Sequence, residues 1–110
     1  MASDAIDTPG TAEECEALTL DSIGHAHHRL GHYAEAITSY ELALQLEQAI
    51  GDRYNSASTF IRLGDVHRDA GDRAAARDAW RQALVIIDEM HHPDGDEVRV
   101  KLRGIEAASR

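Results

Sequence analysis

The chain repeats itself after forty residues, and this repeat constrains its fold more than any other feature. When the sequence is shifted along itself by that distance, many positions are identical and several more keep apolar character. The identical pairs include Ala17/Ala57, Gly24/Gly64, His27/His67, Gly31/Gly71, Ala34/Ala74, Ala36/Ala76, Ala43/Ala83 and Leu44/Leu84. The apolar pairs are Leu20/Phe60, Ile23/Leu63, Tyr40/Trp80, Leu46/Ile86 and Ile50/Met90. A repeat of this length predicts two similar units that stack on each other.

Apolar residues within each copy recur at intervals of three and four, which predicts amphipathic helices. Gly31, Gly51 and Gly71 lie between the periodic runs, and the segment 92–95 closes the last one. We therefore predict four helices, at about 12–30, 33–50, 53–70 and 73–90, whose short loops make antiparallel hairpins. A fifth helix, at about 95–109, carries one narrow apolar stripe and is expected to cap the stack.

The predicted fold class is all-α, with two antiparallel hairpins and a C-terminal capping helix. A flexible tail at 1–10 is expected to precede a single domain at 11–110, with repeats at about 12–51 and 52–91. Thr11 to Glu14 have the spacing of a capping box, and Asp52 and Asp72 are predicted to cap the third and fourth helices. A further shift of forty residues places Arg103 on the slot of Leu63, so the fifth helix is interpreted as a degenerate half-repeat.

Composition limits the possible partners and compartments. The chain has 11 Lys and Arg against 20 Asp and Glu, a net charge of −9 that disfavours direct nucleic-acid binding. Cys15 is the only cysteine, which excludes an intrachain disulfide and fits a reducing compartment. No apolar run approaches the length of a membrane helix and no secretory leader is recognisable, so a cytoplasmic protein without membrane contact is expected.

The repeated small and aromatic positions resemble the tetratricopeptide repeat. The matching residues are Leu20, Ile23, Gly24, His27, Gly31, Ala36, Tyr40 and Ala43, followed by Phe60, Leu63, Gly64, His67, Gly71, Ala76, Trp80 and Ala83. The resemblance implies a right-handed α-solenoid fragment in which Tyr40 and Trp80 fill the space between neighbouring helices. His27 and His67 depart from the tyrosine usual in the family, and the period is longer than usual. The segments around residues 24–37, 63–84 and 91–102 are also similar to C-terminal repeats of large actinobacterial transcriptional regulators.

The resemblance also implies where a partner would bind. Tetratricopeptide repeats bind mainly through the concave surface formed by the first helix of each hairpin. The positions that avoid the apolar stripe there are Asp21, His25, His28, Arg29, Ile61, Asp65, Arg68 and Asp69. The alternative is that these positions are ordinary solvated faces. The family's clamp for a C-terminal carboxylate is not expected, because Asp21, His25 and Asp65 stand where its Lys and Asn residues would be.

Histidine spacing raises the question of a metal. His25, His28 and His32 follow one another at three and four residues, a spacing that Zn²⁺ or Ni²⁺ could bridge on a helix. No cysteine or carboxylate cluster completes the set, so no metal site and no cofactor are predicted. His27 and His67 are expected to be half-buried.

The sequence therefore favours a non-catalytic module that binds a protein or peptide, with no catalytic residues assigned. Signatures of NTPases, hydrolases and metalloproteases are absent from the sequence. The resemblance further implies that the module could serve as the sensor arm of a bacterial transcriptional regulator. Two alternatives stay open: self-assembly through exposed apolar ends, or packing on further repeats, and, as the weaker one, a metal-binding module.

Overall fold

A computed structural model describes residues 12–93 and 95–108 of the chain. Five helices follow one another in that part: α1 Ala12–Arg29, α2 Tyr33–Ala49, α3 Arg53–Asp69, α4 Arg73–Glu89 and α5 Gly95–Ala108. No β-strand occurs among these residues. The all-α fold class and the five predicted helices are confirmed. The predicted tail at 1–10, Thr11 of the capping box and Ser109 lie outside the described residues.

Three of the helices end in the same turn, which a glycine makes possible. Gly31, Gly51 and Gly71 have φ angles of +79°, +73° and +91°, a region that side chains with a Cβ rarely adopt. At the first turn the N–H of His32 donates to the carbonyl of His27 at 2.8 Å, which closes a Schellman motif. Each turn reverses the chain, so successive helices pack as antiparallel neighbours.

His91 makes the fourth turn without a glycine. Its φ is +55°, and the N–H of His92 donates to the carbonyl of Ile87 at 3.0 Å, as in the three glycine turns. A residue with a Cβ is disfavoured in this left-handed region by about 1–2 kcal/mol. The sequence pattern correctly places the end of α4 here, although the left-handed residue is one position before the histidine–proline pair.

Aspartates begin the two helices of the second repeat, as predicted. The carboxylate of Asp52 accepts a hydrogen bond from the backbone N–H of Asn55 at 3.1 Å. The carboxylate of Asp72 likewise accepts a hydrogen bond from the backbone N–H of Ala75 at 3.1 Å. Each cap satisfies an N–H that the first turn of a helix leaves unpaired. The local sequence therefore fixes where α3 and α4 start.

Glycine and a large aromatic ring meet within each hairpin. A Cβ built on Gly24 would lie 2.9 Å from the ring of Tyr40, and one built on Gly64 would collide with the indole of Trp80. Trp80 Nε1 also donates to the carbonyl of Ile61 at 3.2 Å. The two rings are almost fully buried, so the repeated Gly and aromatic positions bring the helices of each hairpin close together.

The capping helix α5 covers the end of the second hairpin. Val98, Leu102 and Ile105 are buried and pack in one cluster with Trp80 and Ile87. The predicted apolar stripe is therefore confirmed as the buried face of α5. This seals the core on that side.

The register of α5 differs from the forty-residue shift. Counted from the first residue of each helix, Leu102 and Ile105 match Phe60 and Leu63, and all four are buried. The longer turn between α4 and α5 moves the half-repeat two residues along the chain. In this register Glu106 occupies the position that Gly64 has in α3. Helix α5 therefore lacks the glycine that would let an aromatic ring approach its backbone closely.

Candidate binding surface

An open groove runs between the first helices of the two hairpins. It has a volume of about 570 Å³ and lies between the middle of α1 and the N-terminal half of α3. The α1 wall consists of Leu18, Asp21, Ser22 and His25, and the α3 wall of Tyr54, Asn55, Ser58 and Arg62. We refer to it as the α1–α3 groove. Two of the eight residues predicted to bind a partner, Asp21 and His25, line it.

Apolar and hydrogen-bonding side chains alternate along the α1–α3 groove. Leu18 and Tyr54 are 58% and 47% exposed, so both offer apolar surface to a bound segment. Ser22 and Ser58 add hydroxyl groups, and Arg62 supplies a half-exposed guanidinium. This combination offers apolar contact area together with donors and acceptors, which is the usual chemistry of a site for a protein segment.

A buried polar cluster lies behind the α1 wall. The Thr59 hydroxyl is 3.2 Å from Asp21 Oδ1 and 2.7 Å from Glu47 Oε1. Asp21 is 7% exposed, Glu47 1% and Thr59 0%. Arg62 Nη1 lies 3.8 Å from Asp21 Oδ2, so a cation supports Asp21 from the groove side. The cluster joins α1, α2 and α3 at the junction of the two hairpins.

The carboxyl group of Glu47 has a raised pKa. Burial raises this pKa to about 8, with further contributions from the charge of Asp21, from a hydrogen bond with Asp21 and from the charge of Asp52. The hydrogen bond from Thr59 acts in the opposite direction but does not compensate. The surroundings of Glu47 thus favour its protonated form.

Sequence reasoning missed this cluster, although one signal pointed to it. The forty-residue shift aligns Glu47 with Ile87, which is 4% exposed in the second hairpin. An acid therefore occupies a slot that the repeat reserves for an apolar residue. Such an exchange indicates a buried polar partner, here Thr59 and Asp21.

A row of charges crosses the C-terminal halves of the first helices and reaches α5. His28 Nε2 lies 2.7 Å from Asp69 Oδ2, Arg68 Nε lies 3.1 Å from Asp69 Oδ1, and Lys101 Nζ lies 3.0 Å from Asp65 Oδ1. We call these five residues the charge row. Burial favours the neutral form of Asp69, but the hydrogen bonds from His28 and Arg68 prevail and lower the pKa of its carboxyl. The row connects α1, α3 and α5 on one surface.

The eight residues predicted to bind a partner have different environments. Asp21 and His25 line the α1–α3 groove, but Asp21, expected to be open to solvent, is buried because it accepts a hydrogen bond from Thr59. Ile61 is half-buried and packs against two groups of buried apolar residues, one that contains Tyr40 and one that contains Trp80. His28, Asp65, Arg68 and Asp69 belong to the charge row, and Arg29 is exposed at the end of α1. Their role in binding stays a prediction.

The three spaced histidines do not converge. His25 lines the groove and His28 contacts Asp69, while His32 Nδ1 is 3.4 Å from the Nδ1 of His27. Within residues 12–93 and 95–108 no group of three or more His, Cys, Asp or Glu side chains is arranged to hold a metal ion. His27 and His67 are half-buried, as predicted.

These elements define a helical-repeat scaffold, with glycine–aromatic hairpins and a groove between its first helices. The tetratricopeptide repeat family matches residues 15–87. The chain therefore belongs to the tetratricopeptide repeat family, whose members are interaction modules for other proteins. None of the described helices is long and apolar enough to cross a membrane.

The chain is also similar, over most of its length, to a longer protein. The Photosystem I assembly protein Ycf3 of Cyanophora paradoxa is 33% identical over 82 residues, which cover 74% of this chain and 46% of the relative. The chain thus spans about half the length of that protein. No solved structure gives a significant match. The predicted membership of the repeat family is confirmed, whereas the narrower resemblance to actinobacterial regulators stays a prediction.

Proposed function

We propose that the chain binds a segment of another protein, in extended form, in the α1–α3 groove. The observation that carries the proposal is the groove itself, about 570 Å³ in volume, with exposed Leu18 and Tyr54 set among hydroxyl, amide and guanidinium groups. Leu18 and Tyr54 would contact apolar side chains of the segment. Ser22, Asn55 and Ser58 would hydrogen-bond to its backbone or its polar side chains.

The charge row would select the part of the partner that extends beyond the groove. It contains the carboxylates of Asp65 and Asp69 beside His28, Arg68 and Lys101, so a segment with both signs of charge would be complementary. Arg29, exposed at the end of α1, would extend the same surface. Because the row joins three helices, binding there would also hold their spacing fixed.

Two biological settings fit such a module. The resemblance to actinobacterial regulators supports a sensor arm, in which partner binding would bias a switch elsewhere in a longer protein. The relative named as a Photosystem I assembly protein supports a role in the assembly of a multisubunit complex. The two settings differ in the partner, because a sensor arm binds a signalling protein and an assembly factor binds an unassembled subunit.

Binding in the groove can be tested without knowing the natural partner. Peptides are selected from a random library against the wild-type chain, and the affinity of a labelled consensus peptide is measured by fluorescence anisotropy. We expect Leu18→Ala with Tyr54→Ala to weaken binding at least tenfold, because buried contacts of this kind contribute about 1–2 kcal/mol each. The matched control is Leu42→Ala with Val85→Ala, which removes side chains 44% and 58% exposed on α2 and α4. Equal affinities of the two double variants would reject the groove.

The role of the charge row has its own test. Asp65→Ala with Arg68→Ala removes one carboxylate and one guanidinium from the row, and circular dichroism verifies that the variant is folded. We expect the affinity for the selected peptide to fall and its salt dependence to change. An unchanged affinity and salt dependence would show that the partner does not contact the row.

A second candidate function is self-assembly, supported by an uncovered apolar stripe on α1. Ile23 and Leu30 are 42% and 68% exposed, whereas Leu63, the counterpart of Ile23 in the second hairpin, is 5% exposed. The same slot is buried wherever a preceding hairpin covers it. Sedimentation equilibrium is expected to reveal self-association that Ile23→Ser abolishes, and a monomer at all concentrations would rule out this candidate.

A further inference from the structure

A smaller cavity adjoins the α1–α3 groove. It has a volume of about 40 Å³, and Leu18 and Asn55 line both spaces. Its remaining lining residues are Glu14, Ala17, Glu47, Ile50 and Asp52. Three of these carry carboxyl groups, and within residues 12–93 and 95–108 no Lys, Arg or His lines it. We refer to this space as the side pocket.

Glu47 lines the side pocket with a buried carboxyl group. Its Oε1 accepts the hydrogen bond from Thr59, but its Oε2 accepts none from any N–H or O–H of the described residues. Asp21, by contrast, is supported by Thr59 and by Arg62 on the groove side. Asp52 is engaged as the cap of α3. A buried carboxyl in this position must be neutralised, either by a proton or by a cation.

The groups that face Glu47 come from both neighbouring helices. Asp21 of α1 and Asp52, the cap of α3, act on Glu47 through their charges, and the guanidinium of Arg62 on α3 supports Asp21. Glu14 of α1 lines the same pocket. The charges of Asp21 and Asp52 both disfavour the ionised form of Glu47. An incoming positive group would be attracted more strongly than an incoming anion.

We propose that the side pocket binds the ammonium group of a lysine side chain from the segment that occupies the groove, an inference that rests on the proposed function. An ammonium is compact and is an N–H donor, which matches Oε2 of Glu47, a buried oxygen that accepts no hydrogen bond from the described residues. The volume of about 40 Å³ exceeds what one water-sized group needs. The apolar stem of the lysine would lie along Leu18, which lines both spaces.

Binding of the ammonium would displace the proton of Glu47. Burial raises the pKa of Glu47 to about 8, so the carboxyl is neutral at pH 7 before binding. When the ammonium enters, the carboxylic acid becomes a carboxylate paired with the cation, and its proton passes to the buffer. Net charge is conserved, and binding at pH 7 releases up to one proton per chain.

The test uses n-butylammonium chloride as the probe for a lysine head group. The full chain, labelled with ¹³C, is titrated at pH 7, with sodium chloride keeping the ionic strength constant. We expect a saturable change of the Glu47 carboxyl resonance toward its ionised position. Neither n-butanol, which lacks the charge, nor tetramethylammonium, which has no N–H donor and is larger than the ammonium head, is expected to produce it.

Two variants separate this site from general attraction to an acidic protein. Glu47→Gln keeps the shape of the neutral acid but cannot release a proton, and the response of backbone amides around the side pocket to butylammonium should disappear. Glu41→Gln removes an exposed acid from the same helix and should leave the response unchanged. A response of equal size in both variants, or an equal response to butanol, would overturn the proposal.

A peptide measurement connects the side pocket to the groove. For a groove-binding peptide that contains lysine, replacing that lysine by norleucine is expected to weaken binding about tenfold or more in the wild-type chain and far less in Glu47→Gln. Calorimetry in two buffers of different ionisation enthalpy should detect the released proton at pH 7. If Tyr54→Ala lowers the affinity for the peptide but the norleucine peptide binds as tightly as the lysine peptide, binding in the groove is supported and the side-pocket proposal is rejected. If butylammonium binds at Glu47 but no peptide depends on Tyr54, the proposed function fails instead.

Discussion

Glu47 makes the stability of the chain depend on pH in a direction opposite to that of most carboxyl groups. Its pKa is raised from 4.5 to about 8, so between these values the folded chain holds a proton that the unfolded chain has lost. The free energy of unfolding therefore has its full contribution from Glu47 below about pH 4.5 and loses it as pH rises to about 8. Each pH unit by which the pH rises within this window lowers the free energy of unfolding by at most about 1.4 kcal/mol.

The Glu47→Gln variant isolates this contribution, since glutamine has no proton to lose and can still donate a hydrogen bond to Asp21. The difference in unfolding free energy between the variant and the wild type is expected to be small at pH 5. It should grow to a few kcal/mol in favour of the variant by pH 8, with about 4 kcal/mol as the upper limit for three pH units.

Urea denaturation followed by the fluorescence of Trp80 provides the measurement at each pH. Taking the difference between variant and wild type cancels the titration of all other groups that the two proteins share. Glu41→Gln, an exposed acid on the same helix, is the control and should give a flat difference. If the difference for Glu47→Gln is also flat between pH 5 and 8, the assignment of a proton to buried Glu47 is wrong.

Four further substitutions test the packing and the turns by urea denaturation. Gly64→Ala should destabilise the fold by about 1–3 kcal/mol, because the new Cβ would displace the indole of Trp80. A variant as stable as the wild type would refute the close approach of the two residues. Gly104→Ala, where a Cβ meets nothing within 4 Å, should stabilise the fold by up to about 1 kcal/mol because alanine favours the helix, and a loss of stability would contradict this. His91→Gly should raise the free energy of unfolding by about 1 kcal/mol, because glycine adopts a φ of +55° without strain. Lower stability of this variant would mean that the imidazole stabilises the fold by more than the backbone strain destabilises it. Asp72→Ala should lower the free energy of unfolding by about 1 kcal/mol, because the helix cap is lost, and no change would show that solvent replaces the carboxylate.

The fold was predictable because its determinants are local. Gly31, Gly51 and Gly71 interrupt periodic runs, and each occupies the left-handed turn that ends a helix. The resemblance implied that Trp80 packs against the next helix, and its indole does lie in one cluster with residues of α5. Its close approach to Gly64 within its own hairpin was not predicted. The register of α5 was not predictable from the forty-residue shift, because the turn before it is longer and the left-handed position is held by a histidine.

The site was predictable only in part, because its chemistry depends on contacts between distant residues. The repeat register places His25 on the first helix of its hairpin, and in the structure His25 lines the α1–α3 groove. The contact of His28 with Asp69 spans 41 residues, and nothing local distinguishes these two from other exposed polar residues. The burial of Asp21 depends on Thr59 of the second hairpin and on Glu47 of the first. Only the exchange of an apolar residue for Glu47 between the repeats left a trace in the sequence.

Hydrogen exchange in the presence of a selected peptide tests the central claim most directly, because it locates the bound segment without any substitution. Backbone amides of the full chain are compared with and without saturating peptide. If the α1–α3 groove is the binding site, protection should increase along residues 18–25 and 54–62 and stay unchanged along 34–48 and 74–88. Protection confined to the second helices α2 and α4, with no change along α1 and α3, would contradict the assignment of the groove.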